Sequence, residues 1–369
     1  MSARRLPAPV WLFSARIDML VFAGAALVSM LALLAGWRLG LLDADAPDAI
    51  WIAAVVMIDV AHVHATGFRV YLDTEEFRRR PALYALAPAL GLALGIALYA
   101  EGSLLFWRAL AYLAVFHFVR QQYGWVALYR AKAAAAASLP AGAARMDKWI
   151  DNAAIYAATL YPLYYWHASL PRRFTWFIEN DFFSGAGGLL QGLLPLAEIL
   201  YWLALAIYFL RAGWLAATRR AFNPGKDLIV LTTALCWRLG IVTFNSDYAF
   251  TVTNVIIHGV PYMALIYLYA RRRLETTSPP GGVSLPLLRR AMAGGWPGFI
   301  AILWALALLE ELFWDRAVWH ERAWLFGAGW DAESWKALLV PLLALPQITH
   351  YLLDGFIWRR KDNPDLVWK

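Results

Sequence analysis

The chain has a single cysteine, Cys236, in 369 residues. One thiol excludes an intramolecular disulfide and any CxxC redox or metal motif, and within an apolar run it reads as a small buried hydrophobe. Charge is scarce as well, at 16% of residues against about 25% in soluble proteins. Hydrophobic residues make up 61% of the chain and mean hydropathy is +0.51. That balance describes an all-α, polytopic integral membrane protein, because long apolar runs span a bilayer as helices. The net charge of +7 would suggest a nucleic-acid partner in a soluble chain. Here the Lys and Arg fall in short loops between apolar runs, so they report topology, and no nucleic acid is expected.

Stretches of about 20 apolar residues occur ten times, near 19–42, 49–71, 81–100, 103–128, 149–168, 188–212, 226–245, 248–270, 296–315 and 336–358. The fifth is the weakest, being interrupted by Asp151, Asn152 and Pro162. The loops alternate in charge. Arg4/Arg5, Arg78 to Arg80, Arg130 with Lys132, Arg211 with Arg219/Arg220, Arg271 to Arg273 and Arg359 to Lys361 fall on one side, and acidic residues such as Asp43, Glu101, Glu179 and Glu321 on the other. The positive-inside rule then puts both termini in the cytoplasm, and a bacterial inner membrane is the expected location. Many of the 20 Trp, Trp51, Trp107, Trp149 and Trp296 among them, sit near span ends as an interfacial belt. The basic N-terminal segment has no convincing cleavage site after it, so the first span reads as retained. The Pro279/Pro280/Gly281/Gly282 stretch reads as a linker. No internal repeat marks a transporter, and residues 1–369 read as one helical membrane domain.

The apolar runs are interrupted by histidine. His62 with His64, His117, His258 and His350 fall in four different spans, where an ionisable side chain is expensive and points to function. All four spans run from outside to inside, and at 1.5 Å per residue these histidines lie roughly 10 to 18 Å from the cytoplasmic end. A shared depth is what ligands of one centre require. Helical spacing supplies companions: Asp59, Thr66 and Arg69 with His62; Arg120, Gln121 and Gly124 with His117; Asn254 and Pro261/Tyr262 with His258; Gln347 and Asp354 with His350. His64 is about 200° around an ideal helix from His62, so it serves the same centre only if the helix is distorted, and otherwise a second metal or a neighbouring helix. The candidate metal ligands are therefore His62, His64, His117, His258, His350 and Asp354. Asp59, Arg120, Gln121 and Asn254 are the candidate catalytic companions, and Asp59 and Asp354 could instead orient ligand imidazoles. His167 and His320 lie in external segments and read as surface residues. Glu198 and Arg238, each near the middle of a span, are placed to form an ion pair.

Imidazole with carboxylate suits a transition metal, iron foremost, as one or two ions. The leading expectation is a non-haem metal oxidoreductase acting on a lipidic or isoprenoid substrate from the bilayer, with an electron donor at the cytoplasmic face. In general type this is similar to membrane desaturases and hydroxylases and to the histidine-dependent carotene-cleaving membrane oxygenases. The clustered HxxxH and HxxHH boxes of the desaturases are absent, so no residue roles carry over from them. Three other readings stay open: a haem-binding electron-transfer or sensor protein, a proton-coupled transporter, and a structural subunit of a larger membrane complex whose histidines ligate pigments.

Overall fold

The computed structural model describes residues 8–136, 141–185, 187–218, 220–276 and 285–359, with the side chains of 134–136 and 141 excepted. Arg4, Arg5, Arg219, the Pro279 to Gly282 linker and Lys361 lie outside them. The described residues are helical and contain no strand.

Ten long helices fall where the ten apolar runs were expected. They are α1 (Ala15–Leu39), α2 (Asp48–Val70), α3 (Pro81–Glu101), α4 (Ser103–Ala136), α5 (Ala141–Ala168), α6 (Gly187–Ala217), α7 (Pro224–Trp237, prolonged by a π turn over Arg238–Thr243), α8 (Asp247–Thr276), α9 (Gly295–Trp319) and α10 (Glu333–Ile357). Eight of them are long and apolar enough to cross a membrane, and α5 and α7 are not among the eight. Both carry charge inside the helix, Asp147, Lys148 and Asp151 in α5 and Lys226, Asp227 and Arg238 in α7.

Local chemistry sets several helix ends. Ser14, Asn223 and Ser246 each accept a hydrogen bond from a first-turn amide of α1, α7 and α8, satisfying donors that a helix N-terminus leaves free. Pro224 occupies the first turn of α7, where it costs no hydrogen bond. Gly40 closes α1 in the left-handed conformation.

By packing, the chain divides into two compact units, residues 1–47, 115–258 and 358–369 in the first and 48–114 with 259–357 in the second. In the first unit α6 is exposed along much of its length, through Leu189, Leu196, Ile199, Leu203 and Leu210, as suits a helix facing acyl chains. Its Glu198 meets Arg238 of α7 at 2.8 Å, forming the expected pair. In the second unit α3 is exposed in the same way, through Leu86, Leu90 and Leu94. Helix α8 is the opposite case, with 94% of its most apolar 18-residue window buried.

Two features of the second unit lead to measurements. Gly259 of α8 lets α2 approach so closely that a Cβ there would stand 2.6 Å from Ile58 Cγ2 and 3.0 Å from the Ile58 carbonyl oxygen. Gly259→Val is expected to cost about 1–3 kcal/mol through overpacking. Gly355→Ala, with nothing near its Cβ, should be neutral or stabilising, and thermal melts in detergent compare the two.

Beyond the end of α2, Asp73 caps a short helix over Thr74–Arg79, which carries Glu76. That carboxylate is buried and meets Arg69 at 3.2 Å, Arg79 at 3.2 Å and Arg80 at 3.1 Å, and accepts a 2.5 Å hydrogen bond from Tyr84. Arg69, which could have reached the headgroups, is instead 1% exposed and also lies over the Tyr269 ring. Burial opposes ionisation of Glu76, but Arg69, Tyr84 and Arg79 outweigh it and hold the carboxyl below the usual glutamate range. A folded value below the unfolded one gives stability that is present above about pH 4.3, the unfolded value, and is lost as pH falls through the folded value. Glu76→Gln should therefore cost about 3 kcal/mol at neutral pH. The gap from the parent protein should close below pH ~4 in acid-unfolding curves.

Candidate metal centre

Two pairs of histidines build the site. In the second unit, His62 of α2 and His350 of α10 have ring centroids 4.8 Å apart and planes at 84°. Tyr262 of α8 packs edge-on against both, at 5.7 and 5.0 Å. Thr66, one turn beyond His62, ties the group together. Its hydroxyl is hydrogen-bonded to His350 Nδ1 at 2.7 Å and to the Tyr262 hydroxyl at 2.9 Å. With Nδ1 so engaged, His350 keeps Nε2 for a ligand role, which is the usual division of labour in a metal-binding imidazole. The His62 Nδ1 stands 3.6 Å from Asp59 Oδ1, one turn earlier on α2.

In the first unit, His117 of α4 and His258 of α8 have ring centroids 5.0 Å apart and planes at 88°. Phe118 stacks on His258 at 3.6 Å with a 9° interplanar angle, fixing the plane of that ring. Gln121, one turn beyond His117, donates from Nε2 to the main-chain carbonyl of His258 at 2.8 Å. This lies close to Pro261, where α8 lacks an amide donor. Asn254, one turn before His258, is 1% exposed and donates to Thr253 Oγ1 at 3.0 Å. Gly240 makes room for it, since a Cβ there would fall 2.3 Å from Asn254 Nδ2.

One ring nitrogen from each of His62, His117, His258 and His350 lies within 4.8 Å of the others, and all four residues are buried, at 1, 2, 0 and 1% exposure. Four nitrogens on one ion at metal–nitrogen distances of about 2.0–2.1 Å stand roughly 3 Å apart, a spacing of the same order as the 4.8 Å within which these nitrogens lie. Four imidazoles gathered in one buried place are costly unless their nitrogens find partners. Neutral imidazole is a ligand for iron, copper, zinc and nickel, so the donor set fits a transition-metal ion.

The remaining candidates lie elsewhere around this cluster. His64 turns away, as the 200° separation requires, and its Nε2 stands 2.9 Å from Glu310 Oε2 of α9. Glu310 Oε1 accepts from Gln347 and Trp314. Asp354, one turn beyond His350, is half-buried and is not one of the four grouped residues. Arg120 is exposed and donates to the Tyr156 hydroxyl at 2.7 Å. His167 is hydrogen-bonded to the Leu163 carbonyl, and His320 is exposed in a left-handed conformation with φ 58°. Thr66, Tyr262 and Phe118 are the contributors to which sequence reasoning gave no role. The first two were visible on the polar stripes, whereas an apolar ring beside a histidine leaves no periodic signal.

The chain matches no family model, no curated protein and no solved structure.

Thr66→Val removes the hydroxyl that orients His350 while keeping the volume. It should weaken metal affinity by about 10- to 100-fold, the usual effect of losing a partner of a ligand imidazole, and cost the metal-free protein about 1–3 kcal/mol, because the Tyr262 hydroxyl and His350 Nδ1 lose a buried partner. Metal titration of the purified variant measures it.

Proposed function

We propose that this protein is a membrane-embedded metal-dependent oxidoreductase holding one iron ion on His62, His117, His258 and His350, with a lipidic or isoprenoid substrate. The carrying observation is the four-histidine cluster itself, buried in an apolar helical bundle. Such a set holds an ion without neutralising it, and four ligands leave a five- or six-coordinate iron one or two open positions. When bound, the ion supplies redox chemistry with O₂ at those positions.

The chain's own residues would do the rest. Thr66 and Tyr262 hold His350, Phe118 holds His258, and the Tyr262 ring packs edge-on against His62. Gln121 Oε1 and Asn254 Oδ1 are buried acceptors with no hydrogen-bond partner among the described residues. They suit a bound water or a substrate hydroxyl that donates to them. Asp59 Oδ1 stands 3.6 Å from His62 Nδ1, and we assign Asp59 to orienting the ligand. Apolar outer helix faces such as those of α3 and α6 favour a substrate arriving from the bilayer. The charge bias of the loops supports a cytoplasmic-membrane location with cytoplasmic termini and an electron donor on that side.

A haem reading is less favoured by the donor count. Porphyrin fills the equatorial positions of its iron and leaves room for two axial ligands, whereas four histidines converge here. A transporter would need no metal.

Protein purified anaerobically should carry about one iron per chain, show no Soret band, and consume O₂ with a reductant and a membrane-lipid extract. His117→Ala and His350→Ala should each abolish bound iron. Stoichiometric metal missing from the parent protein, or full occupancy in both variants, would overturn the reading. Substrate flux into proteoliposomes without metal would replace it with transport.

A further inference from the structure

The first unit contains a cavity of about 200 Å³ that belongs to no part of the metal centre. It lies where four helix ends converge: the C-terminal turns of α4 and α6 and the N-terminal turns of α5 and α7. Arg130, Asp147, Asp151, Lys226 and Asp227 line it, and Ala144, Ala212, Leu215 and Phe222 complete its apolar wall. This is the basic end of those helices, which also carries Lys132, Arg145, Lys148 and Arg220, and so the cytoplasmic end by the positive-inside rule.

The charges inside are paired but not exhausted. Asp147 is met by Arg211 at 2.8 Å, Asp227 accepts from the Tyr208 hydroxyl at 2.7 Å, and Lys226 donates to Asp151 Oδ1 at 2.6 Å. Arg130 donates to Asn152 Oδ1 at 3.1 Å. Asp151 Oδ2 is the exception. The residue is 2% exposed, yet this oxygen has no hydrogen-bond donor among the described residues, and the Arg130 guanidinium stands 3.6 Å from it, beyond hydrogen-bond reach. A carboxylate oxygen buried without a donor is costly and marks the place for one.

Three properties define what would fill the space. With Arg211 counted, three cations face three carboxylates, so a net charge of either sign gains little and a zwitterion gains most. The orphaned oxygen asks for an N–H or O–H donor. The volume falls below the roughly 300–1,000 Å³ of pockets for drug-sized molecules, and the wall beside the charges is small and apolar. We propose that this cavity binds a zwitterionic headgroup bearing a primary ammonium next to a phosphate, that of phosphatidylethanolamine from the cytoplasmic leaflet. The ammonium donates to Asp151 Oδ2 and the phosphate faces Arg130.

The choice of amine makes the proposal testable. Phosphatidylcholine has the same net charge and the same phosphate but a quaternary ammonium with no hydrogen to donate. Native mass spectrometry of the full-length protein in detergent, with phosphatidylethanolamine, phosphatidylcholine and phosphatidylglycerol of identical chains, should show one phosphatidylethanolamine retained. Its binding should be about 10- to 100-fold tighter than that of the other two, the discrimination of a hydrogen bond to a charged acceptor. Asp151→Asn should remove the preference. Because Asp151 also holds Lys226, Ala212→Leu serves as a second variant that fills the cavity without touching a charge, and it should remove the preference while metal content stays unchanged. Free glycerophosphoethanolamine distinguishes the sources. If it competes at micromolar concentration the natural ligand is a soluble amine of the same chemistry, and if it fails the acyl chains are needed. Equal binding of the ethanolamine and choline lipids, or a preference that survives in both variants, would overturn the assignment.

Discussion

A bilayer interior offers no hydrogen-bond partner, so every polar group carried into it must be answered from within the protein. Most of the arrangement follows from that requirement. Glu198 is answered by Arg238, His64 by Glu310, and Glu310 in turn by Gln347 and Trp314. The four clustered histidines meet the requirement differently. Imidazole is neutral in its ligand form, so four of them can gather without the repulsion that four carboxylates would suffer, and a ring that offers one nitrogen inward can tie its other nitrogen to the protein. The Thr66 to His350 hydrogen bond shows the second half of that arrangement directly.

The same requirement explains why so much of the site was legible in the sequence. A histidine in an apolar span stands out because its surroundings do not explain it, and a common depth in four spans is a coincidence that packing alone would not produce. Periodicity also separated His62 from His64 correctly, because the stretch Ala61–Val70 that carries both is regular α-helix. Aromatic and hydroxyl partners were harder to see. Phe118 is one hydrophobe among many in its helix, and only the fold shows that its ring lies on His258. For α5 the sequence marked the helix but not its character, since Asp151 looks like an interruption until it is seen to accept from Lys226 of α7.

The π turns were invisible beforehand and they bear on the centre. One occupies Trp51–Val60 and ends two residues before His62, and another occupies Thr251–Val255 and ends three residues before His258. A π turn adds a residue to the helical repeat and rotates everything beyond it, a distortion that persists mostly where function requires it. Two of the four clustered histidines, His62 and His258, therefore follow directly on a local departure from α-helix. It also breaks the ideal wheel behind the Asp59 stripe, leaving that carboxylate beside His62 at 3.6 Å rather than in the histidine group.

Where polar side chains are left incompletely answered, the sense of the deficit carries information. Gln121 and Asn254 each donate from the amide to the protein, at the His258 carbonyl and Thr253 Oγ1, and each keeps a buried carbonyl oxygen without a donor among the described residues. Asp151 spends one oxygen on Lys226 and keeps the other. In all three cases the side chain is fixed by the bond it makes, so the unused oxygen is held in a set direction and cannot swing away to find water. An acceptor held rigid and dry is stabilised only by something that brings a hydrogen with it. Beside the histidines that is a hydroxyl or a water, and at the helix ends it is an ammonium. The fixed bonds are thus what make the free oxygens selective.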